Sequence, residues 1–250
     1  MALIDEMSVQ GNWLFRWRSF VPAALLALML PPSLLGLHVP FGSDEFHAVW
    51  EWACFGLSML GLAIRCATAG FVPVGTSGRG TTKLRACVLN TTGMYSLVRH
   101  PLYLGNYLVG LGVTLVWFDW WAPVIYSLCF WLYYERIMLA EEKYLRSLYG
   151  DEFEQWAATT PSFLLWPSQF AHWKSPSLPF SVVSMIRREY STLVLVVTLH
   201  AGMEAIENFW LEGRLSFGLE WGCILAATLI VYLLMGLLKK RTGLLRVEGR

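Results

Sequence analysis

Gly93-Met94-Tyr95-Ser96-Leu97-Val98-Arg99-His100-Pro101-Leu102-Tyr103-Leu104-Gly105 opens onto a hydrophobic hairpin, and Glu141-Glu142 stands at the hairpin's other end. Hydrophobic spans normally exclude Arg, His and Glu, because a charge in hydrocarbon is costly. The turn between the two arms is only Phe118-Asp119-Trp120, so the arms pack antiparallel and both charged ends reach the same side of a membrane. A polar site at a membrane surface is built in this way.

Working outward, the composition fixes the class. Of the 250 residues, 56% are hydrophobic and 15% charged, too apolar a balance for a soluble domain of this length. Stretches of about 20 apolar residues predict about six transmembrane helices. They run roughly over Phe20–Leu37, Phe46–Cys66, Pro101–Trp117, Trp121–Leu139, Ser191–Trp210 and Leu215–Leu238. The expected fold is therefore all-α, an integral membrane helical bundle. The 13 Trp residues cluster near the expected helix ends, as interfacial aromatic belts do. Three parts follow: residues 1–69 as an N-terminal pair of spans, with Pro31-Pro32 breaking the first; residues 70–174 as the core carrying the chemistry; and residues 175–250, past Pro176 and Pro179, as a C-terminal pair.

Charge placement predicts the orientation. With the N-terminus inside, Arg16 and Arg18 precede the first span, and Arg65, Arg79, Lys83, Arg85 and Arg99 lie around the loop after the second. Arg136, Lys143, Arg146, Lys174, Arg187 and Arg188 follow the fourth, and the basic tail ends the chain. Of the 19 Lys and Arg residues only Arg214 falls outside. Basic residues accumulate on the cytoplasmic side, so both termini and the suspected site are expected to face the cytoplasm, in a bacterial inner membrane. A net charge of +1 argues against a nucleic-acid partner. The 5 Cys residues show no CxxC spacing, so neither a disulfide framework nor a metal site is expected. The first span lacks a small-residue cleavage motif, so no removable signal peptide is read.

Within the core, Gly75, Gly78 and Gly80 with Thr76, Ser77, Thr81 and Thr82 form a polar loop, either a connector or a cover over a ligand. Pro101 suits the first turn of a helix, where its missing N–H is no loss. His100 then sits at the N-cap, beside backbone N–H groups and the positive end of the helix dipole, a setting that favours an anion such as a carboxylate. Tyr103, Gly105 and Asn106 follow on the first turns, with Gly105 admitting a neighbouring backbone or a flat ligand. On the second arm, Tyr134, Met138, Glu141, Leu145 and Leu148 share one helical stripe. Glu141 therefore lies on a mostly apolar face and requires a cation, from Arg136, Arg99 or a ligand amine. Glu142 lies on the adjoining stripe, where an i,i+4 pair with Arg146 is the plain alternative.

These residues carry a resemblance. Gly-x-Tyr-x-x-x-Arg-His-Pro-x-Tyr-x-Gly, then Glu141-Glu142, then Tyr149-Gly150-Asp151-Glu152-Phe153 with Trp156 and Pro161, resembles the isoprenylcysteine carboxyl methyltransferase family, which is grouped with the phospholipid N-methyltransferases. The resemblance covers about Gly70 to Pro167. It implies a site for S-adenosylmethionine in which Tyr95, His100, Pro101, Tyr103, Leu104 and Gly105 line the cofactor pocket and Glu141 or Glu142 binds its amino group. It further implies that an arginine near the acidic pair, here Arg136, engages the acceptor. The basic residue common in the family after a late Val-Pro is missing, since Ser162 and Phe163 follow Pro161.

The expected reaction is in-line methyl transfer with no metal, in which orientation alone contributes roughly 7–11 kcal/mol. Arg136, Arg99 and Glu142 are the expected catalytic residues, with Arg136 or Arg99 holding an anionic acceptor. A carboxylate or phosphate needs no general base, whereas an amine must first lose a proton, so O-methylation is favoured. The acceptor is expected to be lipidic: a prenylcysteine, a phospholipid headgroup or a lipid A-type phosphate. Rival readings are phospholipid amine N-methylation, a membrane reductase using NADPH on a sterol-like lipid, and a transporter built on His200, Glu204, Glu207 and Asn208 in the fifth expected span.

Overall fold

In the computed structural model, which describes residues 2–18, 44–73, 87–116 and 118–241, Pro101 opens a helix running to Leu115. A short connector containing Phe118, at a positive φ of 60°, leads into a 29-residue helix over Trp121–Tyr149. At about 1.5 Å per residue this second arm is about 43 Å long, and Glu141 and Glu142 lie in its C-terminal third. In chain order the longer helices are α1 (Leu3–Arg16), α2 (Asp44–Phe71), α3 (Pro101–Leu115), α4 (Trp121–Tyr149), α5 (Asp151–Thr159), α6 (Val182–Glu212) and α7 (Leu219–Arg241). A single helical turn at Met94–Leu97 precedes α3, and a 3₁₀ turn at Pro167–His172 follows α5. The expected all-helical class holds, with no strand among the described residues.

Small residues decide how closely the helices approach. A Cβ on Gly61 of α2 would meet the Gly105 carbonyl of α3, and one on Gly112 would meet the Ser58 hydroxyl. This close backbone approach is how apolar helices gain packing when lipid removes the hydrophobic drive. α4 packs against α3 and, on another face, against α1; α6 packs on α2, and α7 on α6. Under the charged end of the hairpin lies an aromatic floor of Phe15, Tyr103, Tyr126, Phe130, Tyr133 and Tyr134.

The expected spans need revision. Phe20–Leu37 lies outside the described residues. Among the described helices, two segments are long and apolar enough to cross a membrane: Glu45–Phe71 and Leu219–Lys239. α3 has only 15 residues. α4 and α6 have the length, but Glu135 and Arg136 in one, and Glu189, His200, Glu204 and Glu207 in the other, dilute their apolar character. The structure thus supports a membrane-associated helical protein rather than a demonstrated six-span bundle. α7 shows why association is required: Leu229, Ile230, Leu233, Leu234 and Leu237 are all exposed, a continuous apolar patch that water would penalise.

α1 is the element that hydropathy alone does not find. Its 14 residues are too short and too polar to span, yet they are sharply two-faced. Ser8, Gly11 and Phe15 are buried, and Gly11 lets the helix close onto the Arg136 carbonyl of α4. Leu3, Val9, Trp13 and Trp17 are exposed and form the opposite stripe, the pattern of an interfacial helix.

Candidate functional site

Backbone pairing places the site. The N–H of Arg99 donates to the Pro161 carbonyl at 2.9 Å, and that of His100 to the Ser162 carbonyl at 3.1 Å. These bonds pin the Arg-His pair against the chain leaving α5. The N–H groups of Tyr103 and Leu104 donate to the His100 carbonyl. The start of α3 therefore spends four N–H groups on the fold, and fewer remain for an anion than the proline-led start predicts.

The Arg99 guanidinium is a structural clamp. Its Nε and Nη2 donate to the two Glu142 carboxylate oxygens at 2.9 and 3.2 Å, a bidentate pair. Its Nη1 donates to the Ala157 and Thr160 carbonyls at 2.9 and 2.8 Å, satisfying the C-terminal end of α5 where a cation suits the dipole. Ser162 Oγ also donates to Glu142, at 3.2 Å. The Glu142–Arg146 pair, the plain alternative for Glu142, does not form; Arg146 bonds Glu154 on α5 instead.

His100 stands between the two carboxylates. Its Nε2 is 3.0 Å from Glu142 Oε1, and its Nδ1 is 3.4 Å from Glu141 Oε2. A neutral imidazole donates from one nitrogen only, so two carboxylate partners call for the imidazolium. Burial by itself pushes the imidazole pKa down, but the hydrogen bonds to Glu141 and Glu142 outweigh it and hold His100 above the ordinary histidine value. For Glu142, burial pushes upward while His100 and Arg99 pull harder, bringing its carboxyl down to about 2.

Glu141 completes the cluster. Tyr103 donates its hydroxyl to Oε1 at 2.8 Å, and the Tyr103 ring stacks on His100 at 5.6 Å between centroids. The cation that the apolar stripe demanded is His100, joined by Arg18 from the end of α1, whose Nη1 lies 3.8 Å from Glu141 Oε1. Sequence reasoning missed Arg18 as a site residue because it lies far upstream and reads as an orientation signal. It missed Ser162 as well, and a second network behind the site: Arg65 binds Glu189 through Nε at 2.8 Å and Nη2 at 3.1 Å. That arginine also donates to Asn106, whose amide reaches Tyr134 at 3.2 Å.

The other expected site residues fall in different places. Arg136 faces α1, donating to Gln10 at 2.9 Å and to the Leu132 carbonyl; no ion pair or hydrogen bond joins it to His100, Glu141 or Glu142. Tyr95 accepts the Trp156 indole N–H on its carbonyl at 2.9 Å and packs behind the site against Phe153 and Trp156. Pro101 and Leu104 are buried, and Gly105 faces Gly61 and Arg65 of α2 rather than an open surface. A cleft of about 330 Å³ is walled by Ser96, Thr159, Thr160, His172, Trp173 and Lys174; it adjoins the Arg99–Thr160 bond, but His100 and Glu141 do not line it. The loop at residues 75–82 lies outside the described residues.

The residues proposed for a transporter sit near the opposite end of α3 from His100. His200 is fully buried and shares a 3.0 Å hydrogen bond with Ser58. Glu204 accepts the Gly218 N–H, Asn208 donates to the Ser216 carbonyl, and Glu207 pairs with His47. These contacts tie α6 to its neighbours. Among the described residues no group of three or more His, Cys, Asp or Glu is arranged to hold a metal ion.

Chemically, the cluster offers the two halves of a binding site for an amino-acid zwitterion: Glu141, partly exposed, for an ammonium, and the cations His100 and Arg18 for a carboxylate. That donor set fits the amino-acid end of S-adenosylmethionine.

Comparison with known proteins agrees in the same region. A family model described as phospholipid methyltransferase matches residues 52–152. The chain is 31% identical over 118 residues to protein-S-isoprenylcysteine O-methyltransferase of Schizosaccharomyces pombe, covering 46% of this chain and 49% of that protein. It is 28% identical over 199 residues to the cobalt-zinc-cadmium resistance protein CzcN of Cupriavidus metallidurans, covering 79% and 85%. With the nickel-cobalt-cadmium resistance protein NccN of Alcaligenes xylosoxydans xylosoxydans it shares 31% identity over 155 residues, covering 59% and 62%. The match thus spans about half the length of the Schizosaccharomyces protein. No solved structure matches.

Proposed function

We propose, from the premise that this chain belongs to the isoprenylcysteine carboxyl methyltransferase family, that it transfers a methyl group from S-adenosylmethionine to a lipid-linked acceptor at the cytoplasmic face of a bacterial inner membrane. The observation that carries the reading is the His100 imidazolium held between Glu141 and Glu142 at the shared end of α3 and α4. In it, Glu141 holds the cofactor ammonium, His100 holds the carboxylate and orients both glutamates, and Arg99 and Glu142 keep the frame rigid. When bound, the cofactor supplies an electrophilic methyl group on a sulfonium. The methyl group would pass to the acceptor oxygen, with the sulfur–carbon electron pair kept by the departing thioether. An anionic oxygen needs no deprotonation, and no residue of the cluster stands ready as a free base.

Membrane placement supports a lipid acceptor. Each buried CH₂ holds a chain in the bilayer by about 0.8 kcal/mol, so a lipid approaches sideways while the cofactor enters from water. The excess of basic residues near the site end supports the cytoplasmic orientation. The description of the matching family, a phospholipid methyltransferase, favours a second reading in which a phospholipid headgroup is the acceptor.

The test is calorimetric titration of the detergent-purified protein with S-adenosylhomocysteine. Saturable micromolar binding is expected, weakened at least tenfold in Glu141→Gln, the effect of one lost charge-assisted contact worth about 1.5–3 kcal/mol. Absence of binding to the folded wild type would overturn the methyltransferase reading.

A further inference from the structure

We propose that the connector between α5 and α6 docks on the bilayer, and that the cleft behind it receives the phosphate of an anionic phospholipid headgroup. This site lies apart from the methyl-transfer cluster. It rests on the chain's membrane association rather than on the methyltransferase reading.

Exposure makes the first case. Leu164, Trp166, Phe170, Trp173, Phe180 and Val182 are all exposed, and no residue of the 3₁₀ turn at Pro167–His172 is buried. In water, so many large apolar side chains in one short connector would be penalised. At a membrane interface Trp and Phe find apolar surroundings for their rings, and the indole N–H keeps its water.

Placement makes the second. The Gly93 N–H donates to the Lys174 carbonyl at 2.8 Å, and the Lys174 N–H donates to Ser96 Oγ at 3.0 Å. Farther along, the Ser181 N–H donates to the Gly70 carbonyl at 2.9 Å, and the Phe180 ring meets Phe71 at 5.0 Å between centroids. Phe71 is the last residue of the apolar segment Glu45–Phe71, which is long enough to cross a membrane. The connector is therefore tied to the bundle where that segment ends, the level at which headgroups lie.

Charge makes the third. The cleft of about 330 Å³ carries Lys174 and His172 in its wall and no carboxylate, with Thr159 and Thr160 adding hydroxyls. The Ala157 and Thr160 carbonyls at the end of α5 would repel an anion, but Arg99 Nη1 already donates to both. A cationic, hydroxyl-lined cleft inside an aromatic rim fits an amphiphile whose charge is a phosphate. The ammonium of a zwitterionic headgroup would meet no carboxylate in this wall.

The experiment titrates the detergent-purified full chain with dioctanoyl phosphatidylglycerol, dioctanoyl phosphatidylcholine and inorganic phosphate, counting bound lipid by native mass spectrometry. Wild type is expected to bind phosphatidylglycerol on the order of tenfold more tightly than phosphatidylcholine, the effect of one charge-assisted contact. Inorganic phosphate should not displace it. Lys174 is exposed and held through its main chain, so its side chain can be changed without releasing the connector. Lys174→Gln should erase the preference with S-adenosylhomocysteine affinity unchanged, and Lys174→Arg should keep it. Phe170→Ser combined with Trp173→Ser should weaken both lipids together. Equal affinity for the two lipids in wild type overturns the proposal, as does a preference that survives Lys174→Gln or lipid binding untouched by the paired aromatic change. Displacement by inorganic phosphate makes the cleft a free-anion site and overturns lipid docking. A parallel fall in S-adenosylhomocysteine affinity in Lys174→Gln gives the cleft to the cofactor, and a dimer dissolved by Trp173→Ser gives the surface to a second copy; either overturns the proposal.

Discussion

Replacing Glu142 with Gln tests whether the charged cluster holds the hairpin end together. Glu142 receives Arg99 through two bonds, Ser162 through a third, and His100 at 3.0 Å. Its carboxyl is displaced from 4.5 to about 2. At about 1.4 kcal/mol for each tenfold change in proton affinity, that displacement corresponds to roughly 3 kcal/mol in favour of the ionised form. The side chain is 19% exposed, so solvent screens it only modestly. Gln keeps the shape and loses the charge, leaving Arg99 and His100 facing a neutral amide. Breaking a buried pair from one side costs about 3–5 kcal/mol; with part of the hydrogen bonding kept, about 3 is expected, a fall in melting temperature on the order of 6–12 °C for a chain of this size.

The assay is a thermal scan by intrinsic tryptophan fluorescence in detergent, repeated across pH. A carboxyl whose pKa is lowered on folding stabilises above its unfolded value and loses that contribution as pH falls toward about 2. The gap between wild type and Glu142→Gln should therefore be widest near neutrality and close as pH falls below about 4.5. His100 acts with the opposite sign: its raised pKa stabilises below the unfolded value near 6.5 and fades as pH climbs through the folded one. Wild type should be most stable between these limits. Glu154→Gln, which breaks an exposed pair with Arg146, is the control and should shift little. Equal melting temperatures for Glu142→Gln and wild type near neutrality, or a gap that persists at low pH, would refute the reasoning.

Two further perturbations separate the parts of the site. Gly11→Val puts a side chain where the Arg136 carbonyl lies and should displace α1, lowering the melting temperature while the α3–α4 hairpin still melts cooperatively; an unchanged melting temperature would show that α1 need not seat against α4. Arg136→Ala removes the bond to Gln10 and should leave S-adenosylhomocysteine affinity within about twofold, with a stability loss near 1 kcal/mol, about one hydrogen bond; loss of turnover without loss of stability would return Arg136 to the reacting centre.

Much of the site was legible because membrane chemistry makes charge expensive. Glu141 on an apolar stripe had to find a cation; Arg136, Arg99 or a ligand amine was expected, whereas Arg136 faces Gln10, Arg99 takes Glu142 and the partner within the hairpin is His100. Gly105 was expected to admit a close neighbour, and Gly61 is that neighbour. What could not be read was which of several chemically equal partners would win. The Glu142–Arg146 spacing satisfies the i,i+4 rule, but a surface pair of that kind is worth only about 0.3–0.5 kcal/mol. Arg99 offers a bidentate, half-buried alternative, and Arg146 then takes Glu154. Arg136 carried the right charge and lay near the acidic pair in sequence. The Gly11 contact turns its stretch of helix toward α1, a fact of tertiary packing with no local signal. Hydropathy similarly overlooks α1, whose meaning lies in its two faces rather than its mean.

The cluster also explains how a charged site survives beside hydrocarbon before any ligand arrives. Each carboxylate already has a cation, and each cation a carboxylate, so the cost of desolvation is largely met within the fold. On the proposed methyltransferase reading, a zwitterionic ligand would exchange partners rather than create them: its ammonium would take over part of Glu141, and its carboxylate part of what Glu141 held. Exchange of this kind yields modest net affinity, which suits a cofactor that must leave after each transfer.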